Sequence, residues 1–203
     1  MKQAHYVSGL FIAVFVTLHL LNHLFALGGA EAHIAFMDEI RKVYRHRSVE
    51  SLLQAAVAVQ VISGIRLFFH KRKTARGFWE KLQIWSGSYL AVFFMIHITA
   101  VLAGRSVLKL DTNFYFGVAG LNSFPVNLFF IPYYALAILG FFAHVAAIHH
   151  SKMQASVLGL KPETQSKIIL GTGAVLTLFI FCGLTNYFRG VEIPEAYRVL
   201  TGK

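Results

Sequence analysis

The stretches SGLFIAVFVTLH (8–19) and SGSYLAVFFMIH (86–97) carry Ser, Gly, Ala, Val, Phe and His at the same six places. A helix turns about 100° per residue, so eleven residues bring Ser and His back to nearly one face, about 16 Å apart along the axis. Each copy sits inside a longer apolar block. Crossing a hydrocarbon layer of about 30 Å takes roughly 20 helical residues, and five blocks are long enough: 5–27, 51–70, 82–104, 126–150 and 166–188. Backbone groups in lipid must be satisfied within their own segment, so these spans are expected as helices. The residue-by-residue alternation of an outer-membrane barrel is absent. The expected fold class is all-α integral membrane, a five-transmembrane-helix bundle forming one domain over 1–203.

Composition agrees. The 203 residues are 56% hydrophobic and 14% charged, and the apolar ones are gathered into the blocks. The single cysteine, Cys182, lies in the last span, which excludes a disulfide, a cysteine-ligated iron–sulfur cluster and a C-x-x-C-H haem attachment. The segment from Lys2 to about Ala32 has the outline of a leader with an AEA site. Its apolar run is too long for one, and cleavage would discard the first repeat, so it is expected to stay as a span. The net charge of +10 fits basic residues that flank the spans and meet anionic headgroups of membrane lipid. No basic stripe interleaved with aromatics exists, so no nucleic-acid partner is expected.

Five spans put the termini on opposite sides. The N-terminal side holds ten cations (Lys2, Arg66, Lys71, Arg72, Lys73, Arg76, Lys81, Lys152, Lys161, Lys167) and the other nine (Arg41, Lys42, Arg45, Arg47, Arg105, Lys109, Arg189, Arg198, Lys203). The dense loop HKRKTAR (70–76) leans towards an N-terminus inside. The loop at 28–50 is amphipathic enough for a helix lying at the surface, the alternative being plain connecting structure. The loop at 105–125 reads as irregular, ending at Pro125.

The first and third spans enter from the same side, so His19 and His97 stand at matching depth on parallel helices. An imidazole in the membrane faces the protein interior and needs a partner. One such residue is explained by a hydrogen bond to a neighbouring carbonyl. Two at one depth, in the same local sequence, point to something between them, and a haem iron takes one imidazole on each axial face. Gly9 and Gly87, beside Ser8 and Ser86, leave room for a flat ring or a close helix. Zinc prefers four ligands, and no carboxylate or thiolate accompanies the pair. In the fourth span His144 is open to three readings: haem ligand, quinone contact or satisfied core residue. The second span carries no histidine within SLLQAAVAVQVISGIRLFF (51–69), where Gln54 and Gln60 are expected as the buried polar groups. HLLNH (19–23) has the i, i+4 spacing of a two-histidine metal site, but His23 lies nearer the surface and suits a headgroup or propionate contact.

These residues resemble a known family. LHLLNHLFALGGAEAH closing the first span, LQIWSGSYLAVFFMIH in the third and FFAHVAAIHH in the fourth are similar to the single-chain cytochrome b membrane anchor of succinate:quinone oxidoreductases and fumarate reductases, over nearly the whole chain. The resemblance implies four histidines on the first four helices holding two haems b, paired one with three and two with four. Carried over, it gives His19 and His97 as axial ligands and His144 as ligand of a second haem, with Gln60 where the family has its fourth histidine. Ile148 stands where the family has a glycine. One haem b is therefore expected rather than two.

The resemblance further implies electron relay between membrane quinone, with menaquinone expected as substrate, and flavoprotein and iron–sulfur subunits on the cytoplasmic side. The chain would be the membrane subunit of that enzyme, in the inner membrane with a cytoplasmic N-terminus, and would not oxidise succinate alone. Candidate quinone contacts are Arg66, His70, Ser86 and His150 on the inner side, and His33, Asp38, Glu39 and Glu50 on the outer. The rivals are a cytochrome b of another quinone-linked or stand-alone kind, and a non-redox bundle whose histidines relay protons.

Overall fold

The computed structural model describes residues 2–202; Lys203, and the side chain of Lys2, lie outside the described atoms. The chain runs α1 (Lys2–Phe25), a 3₁₀ turn (Ala26–Gly28), α2 (Ala30–Tyr44), α3 (Arg47–Lys71), α4 (Phe78–Ser106), α5 (Phe114–Val118), α6 (Asn127–Lys152), α7 (Pro162–Leu184) and a 3₁₀ segment (Glu195–Thr201). Helices α1, α3, α4, α6 and α7 are long and apolar enough to cross a membrane. No strand occurs among the described residues. We call the end where α1 begins the near end and the other the far end.

Helix ends follow local chemistry. The Glu80 carboxylate accepts from the Arg76 and Gly77 N–H groups at 2.9 and 3.5 Å, which starts α4 at Phe78, four residues before the apolar run. Pro162, with no N–H to leave unpaired, opens α7. The last span stops at Leu184, short of the expected 188. Asn186, Tyr187 and Phe188 are left-handed, with φ of 49°, 54° and 65°, and Thr185 Oγ1 accepts from the Phe188 N–H at 3.1 Å. The Tyr187 hydroxyl then donates to the Leu27 carbonyl at 3.1 Å.

α6 packs along both α4 and α7, α1 along α3, α3 along α4, and α7 returns to α1. Lipid supplies no hydrophobic drive between spans, so close approach at small residues matters more. A Cβ on Gly173 would lie 2.4 Å from Phe142 Cβ, and one on Gly183 2.8 Å from the backbone of Ala26 and Leu27. Large apolar residues such as Leu18, Ile96 and Leu136 face outward, as lipid-facing positions do.

The far end is where sequence and structure differ most. Residues 105–125, read as an irregular loop, contain α5 and turn inward. Phe114, Val118 and Leu121 join Ala26, Ile138, Ile180, Phe181 and Leu184 in one buried cluster. Residues 28–50, whose sequence favours plain connecting structure over an amphipathic surface helix, contain α2, and its inward stripe is His33, Met37 and Arg41 at four-residue spacing. Arg41 reaches Asp38 at 3.4 Å and Asp111 at 3.0 Å, tying α2 to the segment before α5. The Tyr197 hydroxyl donates to the Asp111 carbonyl at 3.1 Å. Together α2 and α5 cap the far end of the bundle.

Candidate functional site

The two sequence repeats adopt one geometry twice. At the near end each Ser–Gly pair forms a notch that receives a polar side chain from the neighbouring antiparallel helix. Gln60 of α3 enters the first: its Nε2 donates to Ser8 Oγ at 3.1 Å and to the His5 carbonyl, and a Cβ on Gly9 would lie 2.6 Å from it. His144 of α6 enters the second, its Nδ1 3.3 Å from Ser86 Oγ and 3.0 Å from the Gln83 carbonyl, and a Cβ on Gly87 would lie 2.9 Å from its ring. His5 and Gln83 each stand three residues before the serine, so the notches correspond atom for atom. Glycine is required in both because a side chain occupies the space a Cβ would take. Of the readings open for His144, the satisfied core residue matches these contacts.

Eleven residues on, the repeats open onto a cavity of about 290 Å³. His19 and His97 face across it with ring centroids 6.2 Å apart. Two imidazoles on opposite sides of one metal, each nitrogen about 2 Å from it, bring their ring centres to roughly 6 Å. Each ring is stacked on the phenylalanine four residues earlier: Phe15 on His19 at 5.8 Å and 15°, Phe93 on His97 at 5.1 Å and 13°. Most of the cavity wall is apolar, from Ile12, Val57, Leu90, Ala137 and Phe181 among others. Spacing and wall are compatible with a flat apolar group between the two imidazoles, whose ring planes stand at 66° to each other.

One feature competes with iron. His19 Nε2 lies 3.2 Å from His23 Nε2, His23 Nδ1 lies 3.3 Å from His33 Nε2, and Asn22 Nδ2 lies 3.1 Å from that same nitrogen. With neutral rings the polarity has one solution. Asn22 donates to His33 Nε2, His23 Nδ1–H donates to the same acceptor, and His19 Nε2–H donates to His23. His33 Nδ1 is then an N–H, buried and without a partner, as is Asn22 Oδ1. For His19 to bind a metal through Nε2, it must give up His23 and that proton. No cluster of three or more His, Cys, Asp or Glu able to hold a metal ion occurs among the described residues.

The other sequence candidates are dispersed. At the far end Asp38 pairs with Arg41, Glu39 with Lys42 at 2.5 Å, and Glu50 with Arg105; only His33 and Glu50 line the cavity. At the near end His150 stacks on Trp79 at 4.7 Å, while Arg66 and His70 are exposed on α3. Reasoning from sequence missed Asn22, Tyr44, Arg45 and Arg105 in the cavity wall, and the two stacking phenylalanines. A Phe four residues before each histidine was visible in the repeats; nothing in the sequence marked the arginines. Comparison with protein-family models, curated proteins and solved structures found no match for this chain.

Two expected results follow from the contacts themselves. His144→Ala removes the Nδ1 contacts to the Gln83 carbonyl and to Ser86, whose hydroxyl keeps its bond to the Leu82 carbonyl at 2.6 Å, at a cost of about 1 kcal/mol. A lower thermal midpoint in detergent with the His19–His97 site unaltered is the expected outcome; loss of a bound chromophore would make His144 a ligand instead. The second concerns pH. Burial, reinforced by His19 and Arg41, lowers the His33 pKa to about 4, below the ordinary 6.5. Undocked, His33 binds its proton more readily, so α2 docking is at full strength above about pH 6.5 and weakens as pH falls towards 4. The loss reaches about 3 kcal/mol at one pKa unit per 1.4 kcal/mol. A nitroxide at the exposed Val43 should gain mobility over that range, and His33→Gln should flatten the response. Equal mobility throughout would contradict the burial argument.

Proposed function

We propose that this chain is the haem b-binding membrane anchor of a quinone-linked dehydrogenase, relaying electrons between a peripheral flavoprotein and iron–sulfur pair, of the succinate dehydrogenase or fumarate reductase kind, and membrane quinone. The observation that carries the reading is the facing of His19 and His97 across an apolar cavity at the spacing two axial imidazoles need. His19 and His97 would hold the iron, with Phe15 and Phe93 stacked on their rings. A haem b so held supplies one-electron exchange, whose potential the surrounding protein sets through ligands, polarity and burial. The near-end notches hold Gln60 and His144 in protein contacts, which supports one haem per chain. Menaquinone is the expected electron partner. The near-end cations Lys71, Arg72, Lys73 and Arg76 suit docking of the iron–sulfur subunit, with the N-terminus in the cytoplasm and the chain in the inner membrane.

A reduced-minus-oxidised visible spectrum of the purified protein tests this first. Sharp haem b bands and a pyridine haemochrome value of about one per chain are expected. A colourless protein from a haem-replete host would end the reading. The His19–His23–His33 chain favours a second one, a non-redox bundle in which the imidazoles pass protons. That alternative predicts proton flux in vesicles from a protein with no visible bands.

A further inference from the structure

The far end of the cavity carries more polarity than two ligands to iron require. Asn22 and His33 are 2% and 3% exposed, yet His33 Nδ1 and Asn22 Oδ1 have no partner, and the bonding pattern above makes the His33 nitrogen a donor. Arg45 and Arg105 line the same cavity. Arg105 is paired with Glu50, which neutralises the one carboxylate in the wall. Arg45 is not so matched: its Nη2 donates to Thr112 Oγ1 at 2.8 Å and stands 3.8 Å from Asp111. Burial and repulsion from Arg41 and Arg105 outweigh Tyr44 and Asp111 and lower its pKa, so an added anion would relieve this site.

We infer that this end of the cavity is a carboxylate-binding mouth, in which His33 Nδ1–H donates to, and Arg45 offsets the charge of, the acid groups of a planar macrocycle lying between His19 and His97. This rests on the electron-relay reading for the identity of the macrocycle. A neutral quinone could accept from His33 but would add no charge beside Arg45, whose acidic neighbour, Asp111, is 3.8 Å away and shared with Arg41, whereas a porphyrin dicarboxylate offers an acceptor to His33 and an anion to Arg45. Acid groups held there would direct the ring's polar edge to the far end and its apolar body into the bundle. Helix α2, which supplies His33 and leads into Arg45, thereby becomes part of the site.

The test uses metal-free protoporphyrin IX and its dimethyl ester on the full chain prepared from haem-starved cells, read by porphyrin fluorescence. Without iron, axial ligation makes no contribution, so the acid–ester difference reports the mouth alone. The free acid is expected to bind at least about tenfold tighter, the scale of one charge-assisted hydrogen bond. Arg45→Gln combined with His33→Leu should erase that preference, and Arg45→Lys should retain part of it. Equal affinity for acid and ester in the wild type overturns the inference without any variant. So does a preference that survives the double variant, failure of both porphyrins to bind, or displacement of the acid by equimolar oleate, which would assign the mouth to a fatty acid. An acid preference in a protein that never shows low-spin haem would keep the mouth and end the electron-relay reading; low-spin haem without acid preference would do the reverse.

Discussion

In the proposed haem b anchor, His97→Ala is expected to abolish the low-spin haem spectrum while the five spans still insert. His97 projects from the middle of α4, its ring stacked on Phe93 and 6.2 Å from that of His19. On the proposed haem reading its removal deletes one of the two axial donors. His23 is engaged with His19 and His33, and Tyr134 meets His97 edge-on at 6.4 Å. The haemochrome value should fall from about one per chain to near zero, or the remaining haem should turn high-spin. The helices insert regardless, because insertion depends on apolar length and the substitution makes α4 more apolar. His19→Ala should behave alike, with one difference: it also frees His23 from its acceptor role. A low-spin signal persisting in both variants would remove these residues as ligands and the cavity as the haem's place.

Gly183→Val carries the second large effect. A Cβ at Gly183 would stand 2.8 Å from the carbonyl carbon of Ala26 and the nitrogen of Leu27. Those are backbone atoms in the turn between α1 and α2, so no rotamer change relieves the clash. Either α7 or the turn must move. Overpacking of this kind typically costs 1–3 kcal/mol, occasionally more, and a backbone partner places it at about 3 kcal/mol. The turn leads directly into Gly29, at φ 96°, and then to His33, so displacement reaches the cavity wall. Lower thermal stability and weakened porphyrin or haem retention should appear together. A stable variant with an intact chromophore would mean that the turn is free to shift, and that α2 is not held where these contacts put it.

The repeat decided most of the fold from sequence. Five apolar blocks became five long helices, and the eleven-residue spacing placed His19 and His97 at one depth because helical geometry is insensitive to surroundings. The helix over 30–44 was only half legible: its residues allowed a surface helix, but plain connecting structure was the favoured reading, and the inward stripe of His33, Met37 and Arg41 emerged only in the structure. Residues 105–125 were not legible. Their Gly, Asn and aromatic content marks a loop equally well whether it lies outside the bundle or folds into it. The notches were half legible: Ser–Gly before each histidine block could be read, but not that Gln60 and His144 fill them.

The chain's own pattern of apolar length and helical period thus determined a five-span bundle and the pairing of two imidazoles, because both follow from distances along a single axis. The tertiary structure alone decided what surrounds that pair. His33, Arg45 and Arg105 lie up to 86 residues from His19; His33 and Arg45 reach its cavity only because α2 folds back over the far end, where they meet Arg105 at the end of α4. Contacts between segments so far apart in sequence depend on how the helix ends turn, and that is set by a few left-handed residues, a backbone-tight glycine and the Arg41–Asp111 tie.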